Sequence, residues 1–295
     1  MAACGASDAD VSDLDPAYVS EVEAWRVERL AELKAEDGYI NLAGLYWLQQ
    51  ETSRFGSAGD NDIVFPESAP AYMGEFTMTP DGVQMTLNDG LDARVNGDPV
   101  SSMLMLDDTS DSPVTVTMGS LAWLVVNREK QFAVRLRDFE HPALTSLPPI
   151  PSFDIDPEWR VEAKLLPFDE PKIMELGTVI EGLGYNPVSP GIMAFEYDGV
   201  RYELEAYVTG DTLFFVFGDR TNGRDTYPAG RFLHSAHPDE NGKTILDFNK
   251  SYNPPCAFGD FSTCPVASPK NRLPIRMEAG EKYIPALHVG TLTSH

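Results

Sequence analysis

Basic residues are scarce in this chain. Lys and Arg together number 22 against 46 Asp and Glu, a formal net charge of −24 over 295 residues. A surface this negative repels phosphate backbones, and no stretch gathers a basic patch, which argues against nucleic acid as a partner. The charge itself reads as a solvated, salt-tolerant surface and carries no catalytic information. Histidine and cysteine are scarcer still, at five and three. The cysteine spacing fits no compact zinc pattern, since no second Cys or His pair lies near in sequence, so neither a metal nor a cofactor is expected. No segment reaches the roughly 18 apolar residues of a membrane span. The chain also lacks a Gly-x-Ser-x-Gly elbow, His-Glu-x-x-His, a P-loop and a strand–GxGxxG–helix unit. Asp60-Asn61-Asp62 and Asp154-Ile155-Asp156 lack the further oxygen ligands and the glycine of a calcium loop, and read as turn residues.

What is present is a large core in sequence form. The chain is 42% hydrophobic, ample for a sizeable folded unit. Asp15-Pro16 is a helix start, with Asp as N-cap and Pro at the first helical position. Tyr18, Val22, Trp25 and Arg29 or Leu33 follow at helical spacing, which predicts an amphipathic helix over 16–36, stopped by Asp37-Gly38. Tyr39–Leu48 is expected to pack this helix onto a sheet.

Beyond residue 60 the pattern turns to period two, punctuated every 8–12 residues by Gly, Asn, Asp and Pro. Val114, Val116 and Met118 alternate with threonines; Trp159, Val161, Ala163 and Leu165 alternate with charged residues; so do Val200, Tyr202 and Leu204. Each is a strand with one wet face. Asn222-Gly223 and Asn241-Gly242 are hairpin signals. These patterns predict a mainly β protein, with antiparallel sheets forming a sandwich or a partly open barrel and one N-terminal helix. The organisation expected is a tail over 1–15, the helix and its docking segment over 16–48, and a first β layer or subdomain over 60–140. A Pro-rich crossing at 141–156 leads to a second β layer or subdomain over 157–285.

The densest polar wording lies at 217–283: FGDRTNGRDTYPAGRFL, LDFNKSYNPPCAFGDFSTCP and NRLPIRMEAGEKY. It resembles the C-terminal signature of an uncharacterised bacterial and archaeal family catalogued as domain of unknown function 1684. The resemblance runs from about Trp25 to Tyr283, with DFN…YNPPCAF…TCP as its specific part. It implies no activity. Met1-Ala2-Ala3-Cys4-Gly5 in turn resembles the lipobox of a bacterial lipoprotein, with Cys4 as the lipidated residue and an acidic stretch after it. No basic or apolar signal region precedes it, so Met1 is expected to stand where a signal sequence was removed. The alternative is an ordinary cytosolic N-terminus. On the lipoprotein reading the chain sits at the cell envelope, on the periplasmic face, held to the membrane only through Cys4. Cys256 and Cys264 are then an even pair in an oxidising compartment, and a disulfide is expected rather than two reduced thiols or metal ligands.

Candidate chemistry concentrates in the signature. Phe214–Phe217 reads as a buried strand delivering Asp219 and Thr221 to a turn, with Tyr227 and Arg231 following. The strand expected over 244–249 places Asp247 and Asn249 on one face, and Ser251, Tyr252 and Asn253 lead into the rigid Pro254-Pro255 step. Asp247 as base, with Tyr227 or Arg231 stabilising negative charge, would suit proton transfer. Asp219, Thr221, His234, Asn249, Tyr252 and Asn253 would equally hold a sugar or an organic acid, or form a buried polar network that pins a long loop. His237, three residues beyond His234, would face the opposite way on a strand; His141, His288 and His295 carry weaker cases. Outside the signature, Arg135 and Arg137 share a strand face and suit bidentate capture of a carboxylate, sulfate or phosphate, or pairing with surface acids. The expectation is a binder of a small polar or anionic molecule. The alternatives are a metal-independent hydrolase or lyase built on Asp247, and a structural envelope protein.

Overall fold

A computed structural model describes residues 14–289. Cys4, most of the 1–15 tail and His295 lie outside the described residues. Helix α1 spans Pro16–Lys34, two residues short of the expected end. The Asp15 carboxylate accepts the Ala17 N–H, and Pro16 opens the helix. Val22, Arg29 and Leu33 form its buried stripe. After the helix the chain folds back tightly: Gly38 N–H donates to Ala35 O at 2.9 Å, and a Cβ at Gly38 would overlap the Leu33 carbonyl.

Two β units follow, and no sheet mixes strands from both. In the first, a six-stranded sheet runs in space as Leu42–Trp47, Gln131–Asp138, Leu121–Arg128, Thr115–Met118, Arg94–Val95 and Asp98–Pro99. A five-stranded sheet runs Ile63–Val64, Thr52–Gly56, Gly74–Thr79, Gly82–Leu87 and Ser102–Met105, antiparallel except for the first short pair. Their inner faces meet over Phe55, Phe76, Met85, Trp123 and Val134, all buried, with the Phe55 and Phe76 rings stacked at 4.3 Å. This is a sandwich. The segment expected only to dock the helix supplies its edge strand, 42–47. Glu129-Lys130 and Asp198-Gly199 turn their hairpins with both residues at positive φ, the geometry that matches strand twist. The two Asn-Gly pairs lie in longer loops, at 218–230 and 237–242.

The second unit is one six-stranded antiparallel sheet in the order Arg231–Ala236, Thr212–Phe217, Val200–Thr209, Val188–Tyr197, Arg160–Ile173 and Lys243–Asp247. Its two edge strands are chain neighbours, so the sheet curls into a nearly closed barrel. Thr244 Oγ1 donates to Ala236 O at 3.0 Å where the edges approach, but no ladder joins them. Inside lie Trp159, Met193, Phe195, Phe215, Phe217, Leu246 and Phe248, joined by Leu273, Met277 and Ala279 of the C-terminal segment. Outside, Tyr207, Phe214, Val216 and Phe232 are covered by the 256–264 loop, closed by the Cys256–Cys264 disulfide. Phe261 of that loop packs on Leu42, Leu45, Val126 and Ala133 of the sandwich. No helix among the described residues is long and apolar enough to cross a membrane, which says nothing of spanning strands.

Candidate functional site

The strand Lys243–Asp247 is shorter than expected. It stops at Asp247, and Phe248–Lys250 forms a 3-10 turn that Asp247 caps by accepting the Asn249 N–H. Asp247 and Asn249 are therefore not neighbours along one strand face. They meet through helix α1 instead. Tyr18 Oη donates to Asp247 Oδ1 at 2.8 Å, and Asn249 Nδ2 donates to Tyr18 Oη at 2.9 Å and to Asp156 O at 2.7 Å. Burial and the Asp247 carboxylate together raise the Tyr18 phenol well above its ordinary value. Asp247 Oδ2 has no hydrogen-bond partner; the Lys250 ammonium lies 3.8 Å from it.

Over this corner runs a groove of about 480 Å³, along the unladdered seam between the barrel's edge strands. Asp247, His234 and His237 line it, with Glu21 of α1 on one wall and Arg160, Lys243 and Lys250 on the others. Lys250 pairs with Glu21, and Lys243 with Glu162 at 2.7 Å. The Arg160 side chain makes no hydrogen bond or ion pair among the described residues; its guanidinium carbon sits 5.4 Å over the Tyr18 ring, and, after the Lys250 contact, its charge helps lower the Glu21 pKa. His234 stacks on Tyr252 at 6.0 Å and contacts Thr212 Oγ1 through Nδ1. Burial, aided by the Arg29 charge, lowers its pKa. His237 follows the strand in the loop, so both histidines reach one groove, unlike the opposed arrangement expected of a continuous strand.

The other signature residues go elsewhere. Arg231 is fully buried and paired with Asp219 at 2.7 Å. It also donates to Ser251 Oγ, Ala279 O and Met277 O. Asp219 Oδ1 accepts the Thr221 and Met277 N–H groups. Thr221 Oγ1 meets Thr226 Oγ1 at 2.8 Å. This network fastens the extended segment 275–281 against the barrel core. Tyr227 donates to Cys256 O at 3.1 Å and packs edge-on against Tyr283, so Asp247, Tyr227 and Arg231 direct their hydrogen bonds to three different places. Asn253 takes the Glu281 carboxylate on its N–H at 2.7 Å and donates to Lys282 O. Tyr252 lies under the Arg29 guanidinium, 4.4 Å from the ring centroid.

Arg135 and Arg137 do share a face. Arg137 is spent on the turn after α1, donating to Gly38 O, Asp37 O and Asn41 Oδ1. The Arg135 side chain makes no hydrogen bond among the described residues, and burial lowers its pKa to about 10. Tyr18, Glu21, Arg160, Asp239, Lys243 and Lys250 carry no site signal in the sequence. Tyr18 was visible only as a helix-stripe position, and Arg160 only as the wet residue of an alternating strand.

Known proteins offer a family and little more. A family model described as a protein of unknown function (DUF1684) matches residues 145–282, whereas the sequence resemblance was read from about residue 25. No curated protein matches. Among solved structures, an uncharacterised protein from Haloarcula marismortui is similar at 29% identity, with 45% of this chain and 75% of that chain covered and a TM-score of 0.38. The FHA-2 domain of an ABC transporter from Mycobacterium tuberculosis is similar at 31% identity, with 30% and 77% covered and a TM-score of 0.23. Residues 145–282, the barrel unit with nearly all of its signature, thus match DUF1684, a family whose description assigns no function.

Proposed function

We propose that the protein binds a small polar molecule bearing a carboxylate, a sugar acid or a hydroxy acid, in the groove along the barrel seam. The observation that carries this reading is Arg160: in a chain of net charge −24 its guanidinium forms no ion pair among the described residues and lines a groove. A fork of N–H donors left free is suited to a planar carboxylate. His234, His237 and Lys243 supply further donors, while Glu21 and Asp239 supply acceptors for hydroxyl groups. The Cys4 lipobox and the Cys256–Cys264 disulfide support the companion reading of an envelope protein anchored by lipid in an oxidising compartment. Mass spectrometry of the membrane-extracted natural protein would show a lipid-modified Cys4, and an unmodified cysteine would refute the anchor.

The binding test is a thermal-shift and calorimetric screen of sugar acids, hydroxy acids and neutral sugars on wild type and Arg160→Ala. Arg160 is exposed, so its loss leaves the fold intact. Native-state ligand at 100 times its dissociation constant adds about 2.7 kcal/mol, readily seen as a melting shift. Acids that shift wild type and lose about tenfold or more in affinity in Arg160→Ala support the proposal. Equal binding to both proteins sinks it. Turnover of a bound acid that disappears in Asp247→Asn would make the groove an active site.

A further inference from the structure

A second cavity lies outside the barrel. About 700 Å³ opens beside the sandwich's edge strand, where Phe261 of the disulfide loop meets the 57–67 and 138–142 loops. Its lining is mixed, and the aromatic part of it is Tyr46, Phe65 and Phe261. Its polar groups are Glu67, Asp138, His141 and Ser57, and no Lys or Arg lines it. The Ser57 hydroxyl is used, donating to Ala69 O at 2.7 Å. Asp138 accepts the Glu140 N–H through Oδ1; among the described residues its side chain makes no other hydrogen bond and that of Glu67 makes none. His141 Nδ1 accepts the Ala143 N–H at 3.2 Å, so the neutral ring carries its proton on Nε2; burial lowers its pKa against the opposing pull of the Asp138 carboxylate. The Tyr46 hydroxyl has no hydrogen-bond partner among the described residues, and burial pushes its pKa up to about 12. Its ring lies back over Gly44, where any Cβ would overlap it, so the bare glycine holds the phenol in this position.

We propose that this cavity is a second ligand site, for a small organic ammonium with an apolar or aromatic body. Two carboxylates that form no ion pair among the described residues suit a positive charge, and aromatic faces attract an ammonium through their quadrupoles. The aromatic and aliphatic part of the lining favours a ligand with a hydrocarbon body over a hydrated metal ion or a polyol. The Tyr46 hydroxyl fixes the polar end. The site is separate from the seam groove in residues and in charge preference.

Calorimetric titration with 2-phenylethylamine tests it, alongside 3-phenylpropionate, which has a similar body and the opposite charge, and ethylamine, which keeps the charge without the ring. The amine should bind one per chain, at least about tenfold tighter than either control. Asp138→Asn and Glu67→Gln should each weaken it several-fold, and Arg160→Ala should leave it unchanged. Glu67 is exposed, so Glu67→Gln stays informative should Asp138→Asn fail to fold, as circular dichroism would show. Equal or tighter binding of 3-phenylpropionate overturns the proposal. So does an absence of saturation by 2-phenylethylamine up to its solubility limit, or affinity that Glu67→Gln and Asp138→Asn both leave intact.

Discussion

At the scale of single residues, the signature's charges divide into those spent on the fold and those left over. Arg231 and Asp219 are both fully enclosed, and between them satisfy main-chain groups of Thr221, Met277 and Ala279. Removing one partner leaves a charge buried without its counter-ion, which typically costs about 3–5 kcal/mol. Arg231→Leu should therefore lose stability on that scale in urea denaturation, and a loss below about 1 kcal/mol would show the pair to be dispensable. Gly280 explains why the segment is so tightly held: a Cβ there would overlap Ser251. His234 makes a prediction of opposite character. Its folded pKa lies below the ordinary 6.5 because burial and Arg29 disfavour the cation. The unfolded chain then binds the proton first, so stability present above about pH 6.5 is lost as pH falls toward the folded value. His234→Gln should flatten the decline in melting temperature between neutral and mildly acidic pH. His141, lowered in the same direction, will keep a part of it. A slope identical to wild type would show that His234 titrates normally.

At the scale of elements, the 256–264 loop links barrel and sandwich. Its disulfide spans eight residues of sequence and closes a loop whose chain-entropy contribution is about 2–3 kcal/mol. Reduction, or the Cys256→Ser/Cys264→Ser pair, should lower stability by roughly that amount. Unchanged denaturation midpoints with and without reductant would show that the covering of Tyr207, Phe214 and Phe232 holds the loop unaided. Helix α1 shows what was legible at this scale and what was not. Asp15-Pro16 and the Tyr18–Val22–Arg29 stripe announced the helix because capping and 3.6-residue periodicity are local. That the stripe's tyrosine would bond Asp247, 229 residues away, is not local. The strand read over 244–249 failed at its end for a similar reason. Phe248 enters the barrel core and Asn249 turns to bond Asp156, and those contacts break the alternation.

At the scale of the molecule, the two β units meet in a small apolar cluster around Phe261, with Ile180 packed beside it and Asn186 Nδ2 donating to Glu129 Oε1 at 3.3 Å. Phe261 is almost fully buried against Leu42, Leu45, Val126 and Ala133. Phe261→Ala removes a large buried ring and should cost about 3–5 kcal/mol. Hydrogen exchange should show the added opening at the 42–47 and 121–138 strands first; loss of protection confined to the 256–264 loop would deny the joint its role. The mainly β fold, the helix and the disulfide were readable because alternation, caps and an isolated cysteine pair each depend on a few neighbouring residues. The DUF1684 resemblance was readable because its wording is specific, although the matching stretch begins only at residue 145.

Which polar groups would be exhausted by the main chain and which would face open space was decided only by the tertiary structure. Sequence sets the inventory of charges and the period of each strand. A side chain's freedom depends on what the rest of the chain brings to it. Arg231 and Arg160 read alike as arginines beside strands, yet one is surrounded by carbonyls of the 277–279 segment and the other by solvent and a groove. That difference arises from contacts distant in sequence, closed when the edge strands of the barrel curl toward each other.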